Sequence, residues 1–372
     1  MMKSPKIRFK GFDGDWEQRK LWDVAQEFKS GNSLKADEID ITGDYPVYGG
    51  NGLRGYTSTY NHDGEYALIG RQGALCGNMN YSAGKAYFTE HAVVVKADEN
   101  NDTRFLYYML DTMNLGQYSD QSAQPGLAVN KLVKLENSFP KKEEQQQIGA
   151  YFRSLDHLIT LHQKKFEQLT ILKKYMLQKM FPQNGSDKPE IRFDGFTDDW
   201  EQRKVSELFK VTRGYVLAAT LTEPAKTDEM PYPVYSSQTK DNGLMGYYKD
   251  YLYEDAITWT TDGANAGTVN YRAGKFYCTN VCGVLLSNEV TANQMIAEAL
   301  NNVAKGYVSY VGNPKLMNNV MADIEIMIPT HAEEREKLSV FFRNLDNLIT
   351  LHQQKCDELR NAKKFMLQNM FI

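Results

Sequence analysis

Two stretches of the chain place apolar residues at alternating steps of four and three positions, one starting at Ile148 and the other at Leu338. This spacing collects the apolar side chains on one face of an α-helix and is typical of helices that pair lengthwise. The positions on the two seams are Ile148, Phe152, Leu155, Ile159, His162, Phe166 and Leu169, and Leu338, Phe342, Leu345, Ile349, His352, Cys356 and Leu359. The pattern predicts two long helices, over residues 141–182 and 331–372, that pair with each other along these seams.

Each predicted helix is about 40 residues, or roughly 60 Å, long. Pro182 stops the first helix, and Thr330 stands three positions before Glu333, as in a capping box, at the start of the second. Because an amphipathic helix of this length needs a partner, we expect an antiparallel pair. His162 and His352 then lie near the middle of the seam. We interpret them as half-buried residues that help to set the register. A shared metal site or a proton switch is the alternative, and two lone histidines are weak support for it.

The helical stretches belong to a repeat that covers the chain. Residues 148–181 and 338–371 are identical at 19 of 34 positions, and residues 5–20 recur almost unchanged at 189–204. Two copies are too few for a solenoid, so the pattern indicates a duplicated unit with a pseudo-twofold axis.

The segments outside the helices carry both strand and helix patterns. Runs rich in β-branched and aromatic residues predict strands at 65–69, 86–95, 256–260 and 276–286. Amphipathic spacing predicts helices at 103–114 and 291–303, each with a Thr or Asp available as the N-cap. The predicted fold class is therefore α+β: two globular mixed α/β domains separated by two long antiparallel, coiled-coil-like helices. The predicted boundaries are 1–140 for the first domain, 141–182 for the first helix, 183–330 for the second domain and 331–372 for the second helix.

Composition excludes several classes of protein. The chain has 372 residues, 42% of them hydrophobic and 24% charged, which is typical of a folded globular protein. It has no run of 18 apolar residues, so no membrane span is predicted. Four scattered cysteines indicate reduced thiols and a cytoplasmic location rather than a disulfide framework. The net charge of −4 shows that any basic surface for nucleic acid is local.

Glycine-rich loops differ between the two copies in an informative way. Residues 70–78 align with 260–268 and keep two glycines and an alanine, while most of the polar side chains change. The loop at 51–56 aligns with 242–247, with Arg54 replaced by Met245. This is the pattern of a shared scaffold whose two loop sets recognise different things. Ordinary drift of surface loops after duplication would produce the same pattern.

No catalytic motif is present in the sequence. We find no phosphate-binding G-x-x-x-x-G-K-[ST], no dinucleotide-binding G-x-G-x-x-G, no G-x-S-x-G elbow and no H-E-x-x-H. Cys278 and Cys282 have no second Cys/His pair nearby to complete a zinc site. An enzyme would therefore need an active site that no local motif reveals.

The order of domains and helices along the chain resembles that of the specificity subunit of type I restriction-modification enzymes. The resemblance rests on Pro140-Lys-Lys-Glu-Glu-Gln-Gln-Gln-Ile148, on the duplicated Leu-Asp-x-Leu-Ile-Thr helix, and on Tyr-Pro-Val-Tyr followed by a glycine loop. It covers essentially the whole chain. The second helix departs from the pattern, because the segment from Thr330 to Leu338 lacks the glutamine.

The resemblance implies a role in bacterial defence, in which each domain reads one half of a bipartite, asymmetric target in double-stranded DNA. The helices would set the spacer and dock two modification subunits, which methylate adenine with S-adenosylmethionine. Two restriction subunits would add ATP- and Mg-dependent translocation and cleavage. No catalysis and no cofactor are expected in this chain itself, and the expected location is the cytoplasm, without a membrane partner.

Residue type and loop context suggest the side chains that contact DNA, because base edges and phosphates are bound by Arg, Lys, Asn and Gln. The candidates are Arg54, Arg71, Gln72, Asn78, Gln121, Gln124 and Lys131 in the first half, and Lys240, Asn242, Asn265, Arg272, Asn313 and Lys315 in the second. Two alternatives stay open. A two-headed adaptor would bind proteins or glycans instead of DNA, and an enzyme with a hidden active site would act without other subunits.

Overall fold

The structure is a computed structural model that describes residues 4–119, 126–183, 185–237 and 240–372. It divides into two compact units. Residues Met1–Gln163 and Gln353–Ile372 form the first unit, and Lys164–His352 form the second. These units cut across the domain boundaries suggested by the sequence, because each long helix contributes one part to each unit.

The first unit begins with a globular α/β body. Its strands are β1 (Glu17–Lys20), β2 (Ala25–Ser30), β3 (Tyr45–Gly49), β4 (Gly52–Thr57), β5 (His62–Gly70), β6 (Met79–Phe88), β7 (Ala92–Ala97) and β8 (Glu136–Phe139). Its helices are α1 (Thr103–Thr112), α2 (Val129–Leu132), the beginning of α3 (Lys142–Lys179) and, from the end of the chain, the last part of α7 (Ala332–Met370). Six strands form one sheet in the order β2-β7-β5-β6-β3-β4, antiparallel except where β3 runs parallel to β6. Strands β1 and β8 form a separate antiparallel pair.

Successive side chains of the central strands point to opposite faces of the sheet, and both faces are buried. Ala67 and Ile69 of β5 face a core that includes Phe105 of α1 and Phe152 of α3. Leu68, between them, faces a smaller cluster on the other side of the sheet with Tyr66, Ala86, Phe88 and Val94. The larger core therefore joins the sheet to the long helix.

The second unit repeats this architecture. Its strands are β9 (Glu201–Lys204), β10 (Phe209–Arg213), β11 (Tyr232–Tyr235), β12 (Leu244–Tyr248), β13 (Tyr253–Thr260), β14 (Val269–Cys278), β15 (Cys282–Ser287) and β16 (Glu325–Ile328). Its helices are the end of α3, then α4 (Val205–Leu208), α5 (Gln294–Val303), α6 (Asn318–Asp323) and the beginning of α7 (Ala332–Met370). The sheet order β10-β15-β13-β14-β11-β12 matches the first unit strand for strand, with β9 paired to β16 outside it. The predicted duplication of a mixed α/β fold is confirmed.

Two predicted strands are each divided in the structure. The run 86–95 contains the end of β6, a turn at 89–91 and most of β7, and the run 276–286 likewise contains the end of β14, a turn at 279–281 and most of β15. The turns close through hydrogen bonds from Ala92 N to Thr89 O and from Cys282 N to Thr279 O, both 3.0 Å. Neither turn has the Gly or Pro residues by which a turn is usually recognised, so each apolar run was wrongly interpreted as one strand.

The caps of the two shorter helices agree only in part with the sequence. Asp102 caps α1 by accepting a 2.8 Å hydrogen bond from Phe105 N. In α5 the cap is Asn293, which accepts from Ile296 N at 3.1 Å, so the helix starts later than predicted and Thr291 is not the cap. An Asn side chain serves this role as well as Asp or Thr, which is why the residue type alone did not locate the start.

Within each unit the long helices run antiparallel. In the first unit, the Arg360 guanidinium donates to Gln163 Oε1 at 2.9 Å and Lys363 Nζ to Asp156 Oδ1 at 2.6 Å. In the second, Lys173 Nζ donates to Asp346 Oδ1 at 2.6 Å. Every residue of the two seams is buried or half-buried. The predicted fold class, with its long antiparallel helices, is confirmed. Among the residues described, no helix is long and apolar enough to cross a membrane.

Candidate nucleic-acid interface

Loops of the first unit gather at one end of its sheet. They comprise residues 31–33, 49–52, 70–78, 89–91 and 126–127, here called the first loop cluster. Backbone hydrogen bonds join them: Asn32 N donates to Phe88 O at 3.0 Å, Arg71 N to His91 O at 2.9 Å and Leu127 N to Arg71 O at 2.9 Å. The cluster is therefore a connected surface rather than a set of independent loops.

The second unit has an equivalent second loop cluster, comprising residues 214–216, 236–237, 240–243, 260–268, 279–281 and 309–316. Its corresponding bonds run from Tyr215 N to Cys278 O (3.1 Å), from Thr261 N to Val281 O (3.0 Å) and from Leu316 N to Thr261 O (2.9 Å). Trp259 Nε1 also donates to Leu316 O, at 3.1 Å, from inside the core. The segment 309–316 is thus fixed to the sheet at its end.

A glycine allows the same close approach in both clusters. A Cβ on Gly31 would lie 2.3 Å from Phe88 O, and one on Gly214 would lie 2.2 Å from Cys278 O. Both distances are far below contact, so only glycine lets the chain leaving β2 or β10 pass over the neighbouring turn. The two copies therefore share this close approach, and its cause is steric.

Several candidates of the first half lie in or beside the first loop cluster. Arg71 reaches Glu90 O at 3.4 Å through Nη1, and the exposed Gln72 contacts His91 Nδ1 through Oε1 at 3.0 Å. Asn78 is exposed on the same loop, and exposed Arg54 lies over Gly49. Exposed Lys131 lies on α2, just after the cluster. Gln121 and Gln124 lie outside the described residues.

Candidates of the second half also lie within the second loop cluster. Asn242 adopts a left-handed backbone conformation (φ 51°), and Asn265 Nδ2 donates to Ser237 O at 3.2 Å. Lys315 pairs through its backbone with Ser309 and brings Nζ to 3.7 Å from Asp262 Oδ1. Asn313 is exposed on the same segment. Lys240 begins the short 3₁₀ helix that contains Asn242.

Arg272 has a different environment from the other candidates. It is only 7% exposed, and its guanidinium lies 3.7 Å from the centre of the Tyr235 ring. Nε donates to Thr258 Oγ1 at 3.0 Å and Nη2 donates to Asn242 O at 2.7 Å. The side chain therefore supports the loop at Asn242 from below.

Sequence reasoning missed several side chains of the clusters. His91 is half exposed and holds Gln72 in the first cluster. In the second, Tyr215, Val216, Tyr310 and Val311 are exposed, Tyr310 by 70% and Val311 by 93%. Their β-branched and aromatic character is typical of strands, so only the fold shows that they are loop residues. Exposed apolar side chains beside polar loops indicate a contact surface.

Cys76 in the first cluster does not have the environment of an activated nucleophile. Cys76 donates from Sγ to Arg71 O at 3.3 Å, and burial raises the pKa of its thiol. The described residues also contain no group of three or more His, Cys, Asp or Glu side chains arranged to hold a metal ion. The clusters present hydrogen-bonding, cationic and apolar groups, which suit recognition.

The fold and the clusters together define a duplicated recognition protein: two copies of one scaffold with two chemically different loop sets. The family described as "Type I restriction modification DNA specificity domain" matches residues 13–170 and 197–361. The chain therefore belongs to this family, and the resemblance seen in the sequence is confirmed.

Individual relatives match parts of the chain. The EcoprrI specificity subunit of Escherichia coli is 41% identical over 156 residues, which is 41% of this chain and 39% of that protein. The MpnII specificity subunit of Mycoplasma pneumoniae is 33% identical over 143 residues, covering 38% of this chain and 42% of the relative. The chain thus matches about two fifths of the length of each.

A solved structure matches the whole fold. The S subunit of the type I restriction-modification system from M. genitalium superimposes with a TM-score of 0.82, covering 99% of both chains at 16% identity. At this identity the likeness concerns the fold alone.

Proposed function

We propose that this protein is the DNA-specificity subunit of a type I restriction-modification complex, and that each loop cluster reads one half of a bipartite target in double-stranded DNA. The observation that carries the proposal is the match of the specificity-domain family to both halves of the chain. Because the loop clusters share a backbone path but differ in side chains, we propose an asymmetric target.

The long helices have a separate role in this proposal. They set the spacer between the half-sites and dock two modification subunits, to which two restriction subunits attach. Adenine methylation with S-adenosylmethionine, and ATP- and Mg-dependent cleavage, belong to those partners, while this chain contributes recognition in the cytoplasm and no catalysis. The partners would also share the phosphate contacts, since the chain is acidic overall.

The test is co-expression with a candidate modification subunit in a host without adenine methylation, followed by genome-wide mapping of methylated adenines. We expect a bipartite motif with two unlike halves. Replacing Arg71 and Gln72 with alanine should relax only one half of the motif, because a good base contact is worth roughly 1–3 kcal/mol. The same exchange at Thr261 and Asp262 is the matched control and should affect only the other half.

Other outcomes distinguish the alternatives. A stable complex that methylates no DNA and does not bind duplex DNA at any salt concentration would support a two-headed adaptor. Methyl transfer or cleavage by the purified chain alone would show a hidden active site. Either result would contradict the proposal.

A further inference from the structure

A cavity of about 320 Å³ lies under the loops of the second cluster. This is large beside the roughly 30 Å³ that one water occupies in the liquid. Its lining is mostly polar and includes Asn242, Thr258, Asn265, Asn270 and Arg272. The cavity can therefore hold a hydrated or hydrogen-bonded group.

Arg272 is a buried cation without a buried counter-ion. Its hydrogen-bond acceptors, Thr258 Oγ1 and Asn242 O, are neutral. Within the described parts of the chain, no carboxylate lies within ion-pair distance of the guanidinium, and burial lowers its pKa. Burying a charge is costly unless an opposite charge accompanies it. An anion in the cavity would supply that charge.

The first unit shows what the same fold looks like without this arrangement. Strand pairing makes Leu68 the counterpart of Thr258, and Ser82 the counterpart of Arg272. Leu68 and Ser82 are both buried, and Leu68 packs with Phe88, whose counterpart in the second unit is the smaller Cys278. In this layer the second unit therefore has smaller side chains at Thr258 and Cys278, a larger one at Phe276 in place of Ala86, and an added cation at Arg272. The space and the charge beside Thr258 are what an anion site requires.

We propose that this cavity is a binding site for a phosphate group, with Arg272 as the cation that receives it and the lining Asn and Thr side chains as further donors. Where the phosphate comes from rests on the proposed function: a DNA-recognition subunit would meet it in the DNA backbone. Free inorganic phosphate has the same chemistry and is the other source.

The first experiment titrates the purified full chain with inorganic phosphate at constant ionic strength and follows the melting temperature. We expect a rise of about 2–4 °C that grows with the logarithm of the phosphate concentration above its Kd, and none with chloride. Arg272→Gln should abolish the rise. A wild-type chain that does not respond to phosphate, or a folded Arg272→Gln variant that responds as strongly, would overturn the site.

A second variant keeps the test decisive if Arg272→Gln does not fold. Asn270 lies opposite Thr258 in the sheet and lines the cavity. Asn270→Asp places a carboxylate beside Arg272, so it should raise the melting temperature without phosphate and remove the response to phosphate. Asn80→Asp is the matched control, because Asn80 has the same place opposite Leu68 in a unit with no such arginine. An equal gain in stability from both variants would contradict the proposal.

Methylation mapping then identifies the source. If Asn270→Asp weakens methylation by the co-expressed complex at least tenfold, the ligand is a DNA phosphate. If methylation is unchanged while the response to phosphate is lost, the ligand is free phosphate. Failure of the wild-type complex to methylate would refute the proposed function, and the phosphate titration would still decide the site.

Discussion

One arginine in each unit ties the opening motif of the repeat to the start of a long helix. Arg8 donates to both carboxylate oxygens of Glu144, each at 2.7 Å, and Arg192 binds Glu334 in the same way at 2.7 and 2.8 Å. Both glutamates are almost fully buried, and the hydrogen bond to Glu144 raises the pKa of the Arg8 guanidinium. In each copy the repeated motif is therefore joined to the long helix by a bidentate ion pair with a buried carboxylate.

We predict that Glu144→Gln lowers the free energy of unfolding by about 1–3 kcal/mol, since the half-buried Arg8 loses its counter-charge and its charged hydrogen bonds. Urea denaturation of the purified chain measures this. The exposed pair Arg203–Glu207 provides the control, and Glu207→Gln should cause no measurable change. Replacing Arg8 and Glu144 together with Met and Leu should restore much of the loss. A Glu144→Gln variant as stable as the wild type would disprove the role of the pair.

Residue-level features of the interface were only partly predictable. Sequence comparison located the variable loops that hold Arg71, Gln72 and Asn265, because glycines mark the shared backbone. It could not separate exposed Gln72 from buried Arg272, since both are polar residues in similar context. It also missed Tyr310, because exposure depends on which strands surround a segment and not on its residue type.

At the level of elements, hydrophobic periodicity predicts the longest helices best. The seam repeats from Ile148 and Leu338 located α3 and α7 within a few residues of their ends, because many heptad positions agree with one another. The boundary between β6 and β7 is not predictable in the same way, because a three-residue turn without Gly or Pro does not interrupt the apolar pattern. The parallel pairing of β3 with β6 is non-local and has no sequence signature.

The helices provide a test of the proposed spacer. We predict that inserting one heptad after Gln163 and another after His352 lengthens the spacer of the methylated motif and leaves both half-sites unchanged. Seven helical residues add about 10 Å to each helix. The spacer can therefore grow by at most about three base pairs. A heptad keeps the seam in phase, whereas five residues shift it. A five-residue insertion in both helices is therefore the control and should abolish methylation. An unchanged spacer after the heptad insertion would contradict the spacer role.

At the level of the whole molecule, the duplication makes the end of each long helix equivalent to the end of the other. In the first unit, the Phe371 ring lies 5.4 Å from Phe105 and 5.8 Å from Phe152, measured between ring centres, and Met370 is buried. In the second unit, Phe181 occupies the matching place, 5.7 Å from both Trp200 and Phe342. Residues 163–182 therefore carry the same anchoring side chains as 353–372.

A chain cut after residue 186 should for this reason form a homodimer. It loses residues 353–372, which complete its own core, but it keeps 163–182, which can complete the core of a second copy by exchange. Phe181 is then free to take the place of Phe371, and Lys173 that of Lys363 beside Asp156. Light scattering after gel filtration should give twice the mass of the fragment.

Phe181→Asp should prevent dimerisation, while the exposed Ile171→Asp should not. Since both loop clusters of the dimer are then the first one, its complex with the modification subunit should methylate a motif with two identical halves. A folded, strictly monomeric fragment would show that residues 163–182 do not complete the core of a second copy.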